Sequence, residues 1–155
     1  MEVILRTKYF INYSFEDWNT LLLNFDSTIN YTSWFLNYVE ILNLSSEIQN
    51  HTFVLYDENV PIAIVPIYIE KINNTAQISM GQEPVYAPIF NKNISISNTK
   101  KYYGYLVKKI TDLSVQNQCL LARFHCSPLL NYHFFPFVFL NSGYVEEIFY
   151  PDWYI

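Results

Sequence analysis

Glycine is nearly missing from this chain. Its 155 residues hold three, Gly81, Gly104 and Gly143, far apart. Loops that cradle phosphate need clustered glycines, so neither a P-loop nor a dinucleotide fingerprint can be built. The acyl-CoA pyrophosphate loop, Q/R-x-x-G-x-G/A, is absent as well. Histidine is as scarce: His51, His125 and His133 share no zinc-finger or zincin spacing, so no metal site is expected. The two cysteines, Cys119 and Cys126, fit free thiols in a reducing compartment. His125 and Cys126 are adjacent, which on a strand sends them to opposite faces and argues against a Cys–His nucleophile pair. Charged residues make up only 15%, against about 25% in an average soluble domain. A net charge of −5 argues against direct DNA binding, which needs a basic surface. No apolar run approaches the ~20 residues of a membrane helix. The start, MEVILRTKYF, lacks the pattern of a signal peptide. These absences lead us to expect a cytoplasmic protein with no transmembrane segment.

What the chain has instead is apolar and aromatic surface. Hydrophobic residues reach 51% and aromatics 19%, with 14 Tyr and 12 Phe. That surface must line an aromatic core or face a partner. AT-rich codon usage accounts for part of it.

The organising stretch is FVLYDENVPIAIVPIYIE at 53–70. It reads as two strands around a turn at Asp57, Glu58 and Asn59, with Asn tolerating the positive φ of a short hairpin. The second strand is apolar on both faces, Ile62 and Ile64 one way, Ala63, Val65, Ile67 and Ile69 the other. A strand covered on both sides belongs mid-sheet, under helices. Pro66 interrupts it, because proline cannot donate to the ladder.

Around this hairpin we expect a short strand at 3–5 and a helix capped by Ser14 with Trp18, Leu21, Leu22 and Phe25 inward. A second helix is expected at 32–42 with Trp34, Tyr38, Ile41 and Leu42 inward. A third strand at 75–80 follows a turn at Asn73 and Asn74. The loop at 81–88 leads to an extended piece at Ile89 and Phe90. The longest helix, 98–117, is capped by Ser97. Its stripe is Tyr102, Leu106, Ile110 and Leu113, and Lys100, Lys101, Lys108 and Lys109 read as a solvated face. A strand at 119–125, a short helix at 136–143 and a strand at 144–150 complete the order. Alternating strands and helices predict a single α/β domain spanning 1–155.

Arg123 is the one charge in the strand CLLARFHC. It must pair with an acid or reach the strand's open end. A structural ion pair is one reading, and a clamp for a carboxylate or phosphate is the other. Gln82, Glu83 and Tyr86 in the 81–88 loop could face a ligand, or the loop could be a connector stiffened by Pro84 and Pro88. Glu146 and Glu147 alternate faces and form no acid/base pair.

From Trp34 onward the order of residues resembles the N-terminal half of FemAB-like acyltransferases, which pair two GNAT-like domains. The resemblance rests on YTSW opening a helix at 31–34, on the 53–70 hairpin with Pro66, and on EPVYAPIF at 83–90. LLARFHCSP after a long helix and FLNSGYVEEIFYPDWYI at 139–155 complete it. It covers 34–154. It implies a GNAT-like mixed central sheet with helices on both faces. It also implies the substrate-side half of an enzyme passing an acyl or aminoacyl group from acyl-CoA or aminoacyl-tRNA to an amine. In that family the donor and the chemistry belong mainly to the second half, so no cofactor is expected in this domain. The expected partner is a second GNAT-like domain or another copy, and a small-molecule or cell-wall precursor substrate is possible. The apolar end at Trp153, Tyr154 and Ile155 reads as a seam with that partner and predicts self-association. Departures are Tyr86-Ala87-Pro88 in place of the family's Gly-Pro pair, and an end where the second half should begin. A cleft beside Pro66 would have Tyr31 and Trp34 as an aromatic wall. Gln82 and Tyr86 would be its hydrogen-bonding groups and Arg123 its anion clamp. The competing expectation is a catalytically silent interaction module or a gene fragment.

Overall fold

The chain forms β1 (Leu5–Tyr9), α1 (Phe15–Leu22), α2 (Ser33–Leu42), β2 (Glu47–Asn50), β3 (Phe53–Asp57), β4 (Val60–Val65), β5 (Tyr68–Ile72) and β6 (Thr75–Ile78). Then come β7 (Val85–Tyr86), β8 (Ile89–Phe90), α3 (Ile96–Gln116), β9 (Cys119–Ala122) and β10 (Phe124–His125). The computed structural model describes residues 5–42, 47–81 and 83–125, a single small mixed α/β domain. The expected helix at 136–143, the strand at 144–150 and the seam at 153–155 lie outside the described residues.

The hairpin is the spine. β2 runs into β3 across 51–52, and β4 runs into β5 across 66–67. One long bent hairpin therefore enters two four-stranded sheets, ordered β1-β3-β4-β8 and β2-β5-β6-β9. β4 and β5 are central in both, as their apolar faces require. Neighbours are antiparallel except β6–β9 and β7–β10, which are parallel. Parallel strands need a crossover, and here α3 supplies it.

Side-chain alternation assigns the two faces. Even-numbered residues of β3, with Ile62 and Ile64 of β4, face α1, while a bulge shifts the register so that Pro61 pairs with Tyr56. On that side Tyr13 hydroxyl-bonds Tyr56 at 2.8 Å, and Tyr13 stacks edge-on against Trp18. Odd-numbered residues face α3: the Tyr102 hydroxyl donates to Asp57 at 2.6 Å, and Phe90, paired with Ala63, meets the Tyr103 ring. The expected stripe of α3 is buried throughout.

Several local expectations hold. The Ser14 hydroxyl accepts from the Asp17 amide at 3.0 Å. Asn73 and Asn74 both take positive φ, 49° and 66°, the demand of a type I′ turn. Other expectations are corrected. In the 57–60 turn the positive φ falls on Glu58, 54°, and not on Asn59, whose Oδ1 is held by Arg6 at 2.8 Å. The first strand runs on to Tyr9, because Leu5, Thr7 and Tyr9 alternate with Arg6 and Lys8 and can share β3's register; positions 3 and 4 lie outside the described residues. α3 starts at Ile96 with Ser95 as its cap, two residues before the expected Ser97, and the Ser95 carbonyl receives the amides of Asn98 and Thr99.

α2 shows the other face from the one its sequence favours. Trp34, Tyr38 and Ile41 are exposed, Trp34 by 62%, while Leu36 and Val39 are buried. Both stripes are apolar, so hydropathy does not discriminate between them. Hydrogen bonding decides: the Tyr68 hydroxyl and the Asn50 amide both donate to the Leu36 carbonyl, at 2.9 and 3.3 Å, and Glu40 accepts from the Asn50 backbone at 2.7 Å.

Candidate functional site

The break at Pro66 does not open. The His51 amide donates to Ile67 O at 2.8 Å, and the Ile67 amide donates to Thr52 Oγ1 at 3.2 Å. The buried Thr52 hydroxyl thus stands in for the ladder bond that proline interrupts, and the sheet bends without splaying.

The expected residues gather one strand further on, where β6 hands its parallel partner to β7. Arg123 N donates to Ile78 O at 3.2 Å, and Val85 N donates to Arg123 O at 3.0 Å. Between these bonds, beyond Ser79, the chain turns out of the sheet, closed by Met80 N to Glu83 O at 2.7 Å, with Gly81 at φ 66°. An L side chain at that φ is strained, which explains the glycine.

Beside this turn lies an aromatic basket. The Tyr86 ring sits 6.1 Å from Tyr31, 6.0 Å from Phe35 and 5.8 Å from His125, tilted or edge-on to each. Tyr31 is a core residue: its hydroxyl donates to Ala87 O at 2.7 Å and its carbonyl accepts from Trp18 Nε1 at 2.8 Å. It positions Tyr86 and offers no surface of its own. Trp34 is not in the basket; it stacks on Tyr38 at 4.9 Å on the outside of α2. Gln82 lies outside the described residues. Of the expected site residues, Tyr31, Tyr86 and Arg123 therefore share this corner and Trp34 does not.

Alternation puts Arg123 on the same side of its strand as Leu121 and His125. Its Nε is enclosed and, among the described residues, has no hydrogen-bond partner. The ion pair expected of a structural arginine is not among those the described residues form, Lys71–Glu47, Lys101–Asp57 and Lys108–Asp112. Burying a guanidinium nitrogen without an acceptor costs stability.

Sequence reasoning passed over the acid on this face. Glu70 is 1% exposed, and its Oε2 accepts from Ser79 Oγ at 2.5 Å and from Gln77 Nε2 at 3.4 Å. Ser79 lies in register between Tyr68, whose carbonyl takes its amide at 3.2 Å, and Arg123. A carboxylate, a hydroxyl and a guanidinium thus occupy neighbouring strands on one face. The signal was available: Glu70 ends an otherwise apolar run, as Arg123 interrupts another.

Burial, then the nearby Glu83 charge, pushes the Tyr86 phenol up, so it remains a neutral donor. Burial likewise raises the Cys119 thiol, which favours its protonated form. Among the described residues no group of His, Cys, Asp or Glu is arranged to hold a metal ion, and no helix is long and apolar enough to cross a membrane.

No family model matches the chain, and comparisons with curated proteins and with solved structures gave no match.

Proposed function

We propose that this chain is the substrate-side, non-catalytic half of a FemAB-like, GNAT-type acyltransferase acting in the cytoplasm, one that passes an acyl or aminoacyl group to an amine. The observation that carries the reading is the element order. A strand and two helices precede an antiparallel meander, and a long helix then crosses over to one parallel strand. This is the order expected of a GNAT-like sheet with helices on both faces. The site assigned to the half is the corner of Tyr86 and Arg123. An amine acceptor carrying a carboxylate would give Arg123 Nε the acceptor that none of the described residues supplies, and the Tyr86 hydroxyl would donate to the same ligand. Glu70 and Ser79 would keep that corner polar behind it. The donor, acyl-CoA or aminoacyl-tRNA, is assigned to a second GNAT-like domain or subunit.

The test uses lysyl-D-alanyl-D-alanine, an amine with a free carboxylate, and acetyl-CoA as separate titrants. The peptide should bind and acetyl-CoA should not. Arg123→Ala should weaken peptide binding roughly tenfold or more, the worth of a hydrogen bond to a charged group, with an unchanged melting temperature. Failure of the peptide to bind, or turnover of acetyl-CoA by this chain alone, would overturn the reading. Equal loss of folding and binding would return Arg123 to a structural role.

A second reading, a catalytically silent protein-interaction module, is favoured by the outward stripe of α2. There Ile41 is 71% exposed beside the stacked Trp34 and Tyr38. Large exposed apolar patches mark interfaces.

A further inference from the structure

We propose that the open edge of β1 takes an extended, acidic segment of another protein as an added strand. This inference does not depend on the acyltransferase reading. β1 ends its sheet, and among the described residues only β3 pairs with it. The bonding phase is set by Phe10 N, which donates to Thr52 O at 2.8 Å, one step beyond the pair Tyr9–Phe53. Bonded pairs alternate along an antiparallel ladder. Arg6 and Lys8 are therefore bonded to β3, and Leu5, Thr7 and Tyr9 turn their N–H and C=O groups outward. Those groups are what an incoming strand needs.

Charge selects the strand. Lys8 Nζ lies 3.9 Å from the Tyr13 ring centre and Arg6 Cζ lies 5.3 Å from that of Tyr56, on one face of the edge. Lys109 of α3 reaches the Tyr9 ring on the other face, at 5.9 Å. None of the three is in an ion pair among the described residues. Asp57, opposite Leu5, is engaged by Tyr102 at 2.6 Å and Lys101 at 3.4 Å. In a chain of net charge −5 this edge reverses the sign locally. A second copy docking β1 on β1 would set Arg6 and Lys8 against themselves, and like charges across a strand pair are destabilising. Acidic side chains at alternate positions of an incoming strand share one face, where Arg6 and Lys8 would meet them. Lysine on an edge also serves to repel other strands, and the experiment separates that role from docking.

A short labelled peptide of alternating valine and glutamate, titrated into the whole chain by fluorescence anisotropy, should bind, and its lysine counterpart should not. N-methylation of alternate peptide residues should weaken binding at least about tenfold, because it removes the main-chain donors. The protein-side variant is Thr7→Pro, which deletes an outward N–H and spares the β3 ladder; it should abolish binding. The double charge reversal Arg6→Glu with Lys8→Glu should cost about tenfold or more. No binding of the acidic peptide would leave the cations as guards of the edge and overturn the proposal. So would equal binding of the lysine peptide, or indifference to N-methylation. Should Thr7→Pro fail to fold, the N-methylated peptide on the unaltered protein decides the matter.

Discussion

Replacing Trp18 with alanine is expected to remove about 3–5 kcal/mol of stability, the usual cost of emptying a buried indole. Trp18 is 0% exposed. It meets Phe10 edge-on at 4.7 Å and Tyr13 at 5.2 Å, and it donates from Nε1 to Tyr31 O at 2.8 Å. One side chain therefore ties α1 to the turn after β1 and to the turn before α2. Tyr31 in turn ties that unit to Ala87 beside β7. A domain of this size holds about 5–15 kcal/mol in all, so the variant should unfold at far lower urea, with a melting temperature down by about 10 °C or more. Trp18→Phe keeps a ring but loses the Nε1 donation to Tyr31 O and part of the indole packing, for about 1–3 kcal/mol. Equal midpoints for the two variants would show that the hydrogen bond outweighs the packing. A midpoint for Trp18→Ala near the parent's would show that the core is not organised around this residue. The effect should reach the candidate site, since a loosened Tyr31 no longer fixes the Tyr86 ring.

The elements most legible in the sequence were those where one chemical demand dominates. β4 and β5 carry apolar residues on both faces, and nothing but a central position satisfies that. α3 has a single apolar stripe; its lysines do not all form the solvated face expected, since Lys101 pairs with Asp57 and Lys109 reaches the Tyr9 ring. Ser14 and the Asn73–Asn74 pair are local signals, complete within a few residues. α2 was misread because two apolar stripes compete on it, and the choice is made by Tyr68 and Asn50, which reach it from strands that follow. Hydropathy cannot see such a bond. β9 is as apolar as a core strand, yet its Leu120 is 80% exposed; among the described residues β9 is the outermost strand of its sheet. Strand order, not composition, decides what covers it.

The candidate site was legible in the same uneven way. Arg123 and Tyr86 stood out as polar groups in apolar company, and they lie in one corner. Tyr31 stood out as an aromatic residue, but its hydroxyl and carbonyl are both used to hold the core together. Glu70 carried the same signal as Arg123 and was passed over, because an acid at the end of a strand reads as a surface residue. What sets it apart is the register that brings Ser79 across from the next strand. The place of the site also shifted. Pro66 looked like the weak point of the sheet, but Thr52 repairs that break with its hydroxyl. The parallel ladder divides after Ser79, where Pro84 and Pro88 read as stiffening a connector and not as the edge of a site.

Raising the pH is expected to unfold the domain cooperatively, and Tyr68 is the group that drives it most. Its ring is 1% exposed and its hydroxyl donates to Leu36 O at 2.9 Å. Burial, and then the charge of Glu40, push this phenol well above its ordinary value, with a smaller opposing pull from Thr52. Tyr13, Tyr86, Tyr102 and Tyr103 are raised too, each chiefly by burial. A folded-state pKa above the unfolded value of about 10 makes the folded chain hold protons that the unfolded chain has released. The neutral phenol's contribution is therefore complete below about pH 10 and is lost as pH rises beyond it, at about 1.4 kcal/mol per pH unit for a fully buried tyrosine. Phenolate absorbance and far-ultraviolet ellipticity should change together, in one transition. Tyr68→Phe should reverse its sign across that range. At neutral pH the variant loses a buried hydrogen bond, about 1 kcal/mol. In alkali it lacks the group that titrates, so its stability falls less steeply and the two curves cross. Phenols that titrate gradually near their ordinary value in an intact fold, or a variant with an unchanged slope, would show that Tyr68 is open to water.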